Sequence, residues 1–264
     1  MRAHAASSVR VARLVSATGA LLFFVSLAYF AFVYLMRFDD AGIGEDTAVA
    51  LTWNVTLFSL FALHHSVFAR VRVRRLVSQA VPAGLERSVY VWIASLLFIA
   101  VCAWWRPIAG MAWQADGLVL WALRALQAAG VWLTLRSAVI LDIGELAGLR
   151  RPGGGNSVVA GGLPPSREAS ADRRSLGGGG QASGTEFKTT GPYGWVRHPI
   201  YAGWFLFVWT ASPMTMTRLT FAAVSCVYLL IAIPLEERTM RATSGGSYER
   251  YMAQVRWRLV PGVY

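Results

Sequence analysis

Six long apolar runs, parted by basic, glycine-rich or proline-bearing segments, set the pattern of the chain. They are Leu14–Met36, Ala48–Ala69, Ser88–Trp105, Gly117–Ile140, Tyr201–Thr217 and Leu219–Leu235. Runs of this length with few charges match helices that cross a hydrocarbon core about 30 Å thick. The pattern predicts an all-α, polytopic integral membrane bundle of about six transmembrane helices, a single domain over residues 1–264. The last two runs are 17 residues each, close to the shortest that can cross, and the intervening SPMTMT makes them a helical hairpin. Arg124 and Arg136 fall inside the fourth run, where they must face other helices, a cavity or the interface. Beyond the last run, Tyr248, Tyr251, Met252 and Val255 form a stripe in a polar background. That spacing predicts a short amphipathic helix lying on the membrane surface.

Residues 150–187 break the pattern. They are rich in Gly, Ser, Pro and Arg, show no apolar periodicity, and are expected to be a disordered cytoplasmic insertion. Their glycine runs match neither GxxxxGK[ST] nor GxGxxG in a strand–helix setting, so no phosphate loop is read there.

Composition agrees with the membrane reading: 55% of residues are hydrophobic, 15% are charged, and mean hydropathy is +0.46, where soluble domains carry about 25% charged residues. The formal net charge of +11 does not point to nucleic acid, because the basic residues sit between apolar runs. With the N-terminus in the cytoplasm, 20 of the 25 Lys and Arg residues lie on the cytoplasmic side. Arg37, Arg106 and Arg218 lie outside, and two arginines sit within the fourth run. This asymmetry places both termini in the cytoplasm of a bacterial inner (plasma) membrane. The first run exceeds the apolar core of a signal peptide and no small-x-small site follows it, so it reads as a retained helix. Cys102 and Cys226 fall in separate runs without CxxC spacing and read as small buried residues rather than metal ligands or a disulfide.

Chemistry concentrates at GPYGWVRHPIYAGW, Gly191–Trp204. Pro199 suits the first turn of a helix, and Gly203 admits close approach of a backbone or ligand. Arg197 and His198 therefore sit at the mouth of the fifth helix beside free N–H groups, a natural seat for an anion. The sixth run ends in IPLEERTM, so two runs of equal length would bring Glu236 and Glu237 back to the level of Arg197 and His198, although 38 residues part His198 from Glu236. A salt bridge stapling the hairpin is the plainer account of the same four residues.

GPYxxVRHPxYxG, followed by a helical hairpin and a double glutamate, resembles the isoprenylcysteine carboxyl methyltransferase and phospholipid methyltransferase group of membrane enzymes. Within it, FALHHSVFAR (Phe61–Arg70), VPAGLERSVYVWIASL (Val81–Leu96), WWRP (Trp104–Pro107) and the stretch from RHPIYAGW through YLLIAIPLEER are similar to the NnrU-like branch and to methanethiol S-methyltransferases. The resemblance implies an S-adenosylmethionine cofactor held from the cytoplasmic side by Arg197, His198, Pro199, Tyr201, Gly203, Glu236 and Glu237, with Tyr193 as a further contact. It implies methylation of a small thiol, methanethiol becoming dimethyl sulfide. Methylation of a lipid amine or a prenylcysteine carboxylate, and a non-catalytic NnrU-like membrane protein, are the other readings. A thiol reacts as its thiolate, which calls for a base. His65 in HHS and His198 are the candidates, His64 pointing elsewhere on the helix. No metal is implied. Arg256 occupies a position where relatives often carry proline, and the long insertion precedes the motif.

Overall fold

The computed structural model describes residues 2–42, 44, 46–68, 85–141, 143–147, 149, 187, 189–244 and 246–264. The insertion expected to be disordered lies outside these residues except for Phe187. So do Ala69, Arg70 and residues 81–84 of the blocks quoted above.

Helix α1, Arg2–Phe32, runs into a π-helical turn, Val33–Arg37. Helices α2, Thr47–Phe68, and α3, Glu86–Trp104, follow, then strand β1, Met111–Trp113, and helix α4, Gly117–Ile140. A one-turn helix α5, Ile143–Leu146, precedes a 3₁₀ turn at Gly191–Gly194 and helix α6, Pro199–Trp209. Strand β2, Met214–Thr215, leads into α7, Met216–Thr243, and the tail carries α8, Ser247–Gln254. The two strands pair antiparallel, Met111 opposite Thr215 and Trp113 opposite Met214.

Among the described residues, five helical stretches are long and apolar enough to cross a membrane: Leu14–Arg37, Thr47–Val67, Arg87–Trp104, Gly117–Ile140 and Met216–Thr243. Their outer faces are apolar too. On α4, Leu118, Trp121, Trp132 and Leu135 are all more than half exposed, an arrangement that suits lipid rather than water. The chain is an integral membrane protein with an all-α bundle fold. Lipid gives helices no hydrophobic reason to associate, so small and polar contacts must hold them. Ser16 Oγ meets Ser88 Oγ at 2.9 Å, and Trp92 donates to the Val15 carbonyl at 3.1 Å. Buried Asn54 brackets the Arg106 backbone with two 2.9 Å hydrogen bonds. At the centre, the Phe221 ring lies 5.0 Å from Trp105 and 5.3 Å from Phe30 between centroids.

The hairpin differs from its sequence expectation. Its first limb is helical for only 11 residues, against 28 for its second. Helix α6 supplies a rise of only about 16 Å, and beyond its cap at Thr210 residues 211–215 continue as irregular chain and strand. Irregular backbone at membrane depth is tolerable only when protein satisfies it, and here it does. Gln127 donates to the Phe207 carbonyl at 3.1 Å and the Tyr34 hydroxyl donates to that of Val208. Arg124, though exposed, donates to the Ser212 carbonyl at 3.1 Å. Arg218, expected in an outer loop, is 3% exposed. It donates to the carbonyls of Tyr34, Leu35 and Pro213 and pairs with Asp39 at 2.7 Å. One guanidinium thereby closes the end of α1 and the start of α7 together.

Candidate active site

The opposite end of the hairpin carries the motif residues. Pro199 occupies the first turn of α6, as its missing N–H allows, and His198 is the N-cap residue. Glu236 and Glu237 lie on α7, adjacent in sequence and so about 100° apart around the helix. The two carboxylates face different surroundings.

Glu237 is 1% exposed and saturated with cations. Its Oε1 accepts from Arg197 Nε at 2.8 Å and stands 3.4 Å from His198 Nε2. Its Oε2 accepts from Arg258 Nε at 3.0 Å and lies 3.0 Å from Arg258 Nη2. The hydrogen bond to Glu237 holds the Arg258 guanidinium above its ordinary range, against the opposing effect of burial. Arg197 is also spent internally, since its Nη1 donates to the carbonyls of Val255 at 2.9 Å and Arg256 at 2.6 Å.

The tail completes this clasp. The N–H groups of Arg197 and His198 donate to the Trp257 and Arg258 carbonyls at 2.8 and 2.9 Å. The tail backbone thus takes the N–H groups of the two motif residues that precede α6. Helix α8 packs inward through Tyr248, Tyr251 and Val255, and Tyr251 donates to the Tyr193 carbonyl at 2.9 Å. Phe187 stacks on Tyr251 with centroids 5.7 Å apart. Burial raises the phenols of Tyr193, Tyr248 and Tyr251 above their ordinary range, which keeps them neutral.

Glu236 is different. Its Oε1 accepts from the Tyr201 hydroxyl at 2.7 Å, but its Oε2 is buried without a hydrogen-bond partner among the described residues. His198 Nδ1 stands 3.9 Å from it, beyond hydrogen-bond distance. The His198 and Tyr201 rings lie parallel, 5.6 Å between centroids. A buried carboxylate oxygen without a partner is costly, and an ammonium or a ribose hydroxyl would satisfy it. Tyr201, Tyr228 and Tyr90 lie within electrostatic reach of Glu236 or of one another. Beside them, His65 Nδ1 is hydrogen-bonded to the Tyr90 hydroxyl, while the His64 ring stacks on Tyr90 at 5.6 Å.

The structure thus brings Arg197, His198, Tyr201, Glu236 and Glu237 together, with Tyr193 behind them and His65 on the far side of the tyrosines. Gly203 points elsewhere, against Gly130 and Thr134 of α4. Sequence reasoning missed Arg258, counted only as a tail charge, and Tyr90, quoted within a motif but given no role.

Comparisons with known proteins agree with this arrangement. The isoprenylcysteine carboxyl methyltransferase (ICMT) family matches residues 181–242. A methanethiol S-methyltransferase of Crocosphaera subtropica is 33% identical over 84% of this chain and 80% of its own. Methanethiol S-methyltransferases 1 and 2 of Bradyrhizobium diazoefficiens are 34% and 32% identical, over 89% and 85% of this chain and 77% and 78% of theirs. No solved structure matches the chain.

Proposed function

The chain belongs to the methanethiol S-methyltransferase family of membrane methyltransferases, and from that we propose that it methylates a small thiol with S-adenosylmethionine, turning methanethiol into dimethyl sulfide. The observation that carries the cofactor assignment is the buried Oε2 of Glu236, without a hydrogen-bond partner among the described residues, beside Tyr201 and His198. That oxygen accepts from the ammonium or a ribose hydroxyl of the donor. Its neighbours offer aromatic faces to the sulfonium. When bound, the cofactor supplies an electrophilic methyl group.

The residues named from sequence then divide by role. Glu236, Tyr201 and His198 contact the donor. Glu237, Arg197 and Arg258 form the clasp that fixes them, and Tyr193 braces that clasp through Tyr251. Pro199 starts α6, and Gly203 sets its distance from α4. The apolar surroundings of the site suit a small, volatile acceptor and a neutral product that leaves through the bilayer.

Calorimetry with S-adenosylmethionine should show binding by the purified protein, and Glu236→Gln should weaken it at least tenfold without lowering thermal stability. Membranes given labelled donor and methanethiol should release labelled dimethyl sulfide into the headspace. Label appearing instead in extracted lipid would favour a lipid amine, and no binding by the wild type would end the enzymatic reading.

The site lies at the cytoplasmic side of a bacterial inner membrane. Support comes from the concentration of arginines at this end, with Arg197, Arg238, Arg241, Arg250, Arg256 and Arg258 near the two glutamates in sequence or space. A tag at Gly178 should react with impermeant reagent only in inverted vesicles; labelling of intact cells would reverse the orientation.

A further inference from the structure

Methyl transfer to a thiol needs an acceptor for the thiol proton, and the structure distinguishes the two histidines that could take it. His198 is committed. Its Nε2 stands 3.4 Å from Glu237 Oε1 and its Nδ1 3.9 Å from Glu236 Oε2, its ring lies against Tyr201, and its backbone caps α6. A ring held between two carboxylates serves to position them and to contact the donor. His65 is held differently. On α2, three residues before that helix ends, it has no carboxylate beside it among the described residues. Its one hydrogen bond joins Nδ1 to the Tyr90 hydroxyl of α3, and its other neighbours are aromatic, Phe61 at 6.1 Å and Tyr228 at 6.5 Å between centroids.

Which imidazole nitrogen carries the proton is set by the hydrogen bond the other one makes. We propose that His65 Nδ1–H donates to the Tyr90 phenolic oxygen, leaving Nε2 bare as the base that takes the proton of the acceptor thiol. This rests on the thiol methyltransferase reading and names the acceptor side of the same site. Tyr228 connects the two sides. Its ring faces His65, its hydroxyl stands 3.4 Å from Ser66 Oγ, and it lies within electrostatic reach of Glu236.

The step balances. The S–H bond breaks and its proton moves to Nε2, giving an imidazolium whose Nδ1–H still points at Tyr90. The thiolate electron pair forms the new carbon–sulfur bond to the methyl group, and the carbon–sulfonium bond of S-adenosylmethionine breaks to leave a neutral thioether. The imidazolium afterwards releases its proton to water. Tyr90 touches neither reactant: it is a positioning residue that selects the tautomer and orients the ring.

The test is the pH dependence of dimethyl sulfide formation by the detergent-purified full chain, with donor affinity measured in parallel. A positioned base contributes about 10²–10⁴-fold. His65→Gln should therefore lose about a hundredfold in turnover at neutral pH with donor affinity unchanged. The deficit should shrink as pH rises and solution supplies thiolate directly, so the profile of the variant climbs where that of the wild type has flattened. Tyr90→Phe removes the acceptor at Nδ1 and should give a smaller loss, about tenfold, with the same recovery at high pH. Should His65→Gln bind donor poorly, the Tyr90→Phe profile decides alone. Losses that stay constant with pH, or turnover within threefold of wild type at neutral pH in a donor-binding variant, would overturn the assignment while leaving the donor site intact. Failure of the wild type itself to bind donor would sink the enzymatic reading instead.

Discussion

Glu237→Ala should abolish donor binding and lower the thermal midpoint together. Glu237 is the only carboxylate among the described residues that meets Arg197, Arg258 and His198 at once. Removing it leaves two guanidiniums facing each other, and unpairing a buried charge costs about 3–5 kcal/mol, roughly two to three and a half orders of magnitude in an equilibrium constant. The effect reaches further than one contact. Arg197 would keep the Val255 and Arg256 carbonyls, but Arg258 would lose its anchor, and the tail segment that receives the Arg197 and His198 N–H groups would loosen with it. Glu237→Gln keeps the shape without the charge and should fall between. The contrast with Glu236→Gln is the diagnostic: same chemistry, adjacent position, but loss of donor affinity with the midpoint retained. Thermal unfolding in detergent and calorimetry on all three variants would check this. A Glu237→Ala protein with a wild-type midpoint would show that the clasp does not hold the site.

Why the two glutamates differ was not legible in the sequence, although their convergence on the histidine was. The doublet, the RHP segment and the hairpin are local patterns, and two consecutive apolar runs must return the chain to the side it left. Which oxygen is saturated depends on Arg258, about 20 residues beyond Glu237 and past a helix, and no local rule says where such a tail folds back. The only trace is the basic–aromatic RWR run sitting where a plain surface tail would be expected. Tyr90 gave a clearer hint: a phenol inside an apolar run needs a partner for its hydroxyl, and a histidine on the preceding helix could supply it.

The helices were legible from length and apolarity, but the limits of α6 were misjudged. Thr210, Ser212 and Pro213 lie within the run read as Tyr201–Thr217, and the residue before a proline disfavours helix. Those signals place the end near Trp209, where the structure has it. A half-length helix ends on carbonyls that have no helical partner. Tyr34, Gln127, Arg124 and Arg218, from three other helices, cover them. Arg218 read as a loop charge because its partners, Asp39 apart, are backbone atoms, which carry no signature in a sequence.

Gly203→Leu should yield a protein that does not bind donor, because α6 could no longer sit where it does. A Cβ at Gly203 would stand 2.6 Å from the Gly130 carbonyl oxygen and overlap the Thr134 hydroxyl, and one at Gly130 would stand 2.7 Å from the Gly203 carbonyl oxygen. Backbone cannot rotate aside as a long side chain can, so the helices would have to part, as at other small-residue crossings in membranes. Parting them pulls the Phe207 and Ser212 carbonyls from Gln127 and Arg124 at one end of the hairpin. At the other end it draws His198 and Tyr201 away from the carboxylates of α7. Gly203→Ala separates this account from a direct donor contact. Overpacking a helix crossing costs about 1–3 kcal/mol, so the alanine variant should lose several degrees in thermal midpoint, and its donor affinity should fall only as the folded fraction falls. An alanine variant with an unchanged midpoint but weakened donor binding would instead put Gly203 in the cofactor pocket, as the family resemblance implies, and α4 would then owe its place to other contacts.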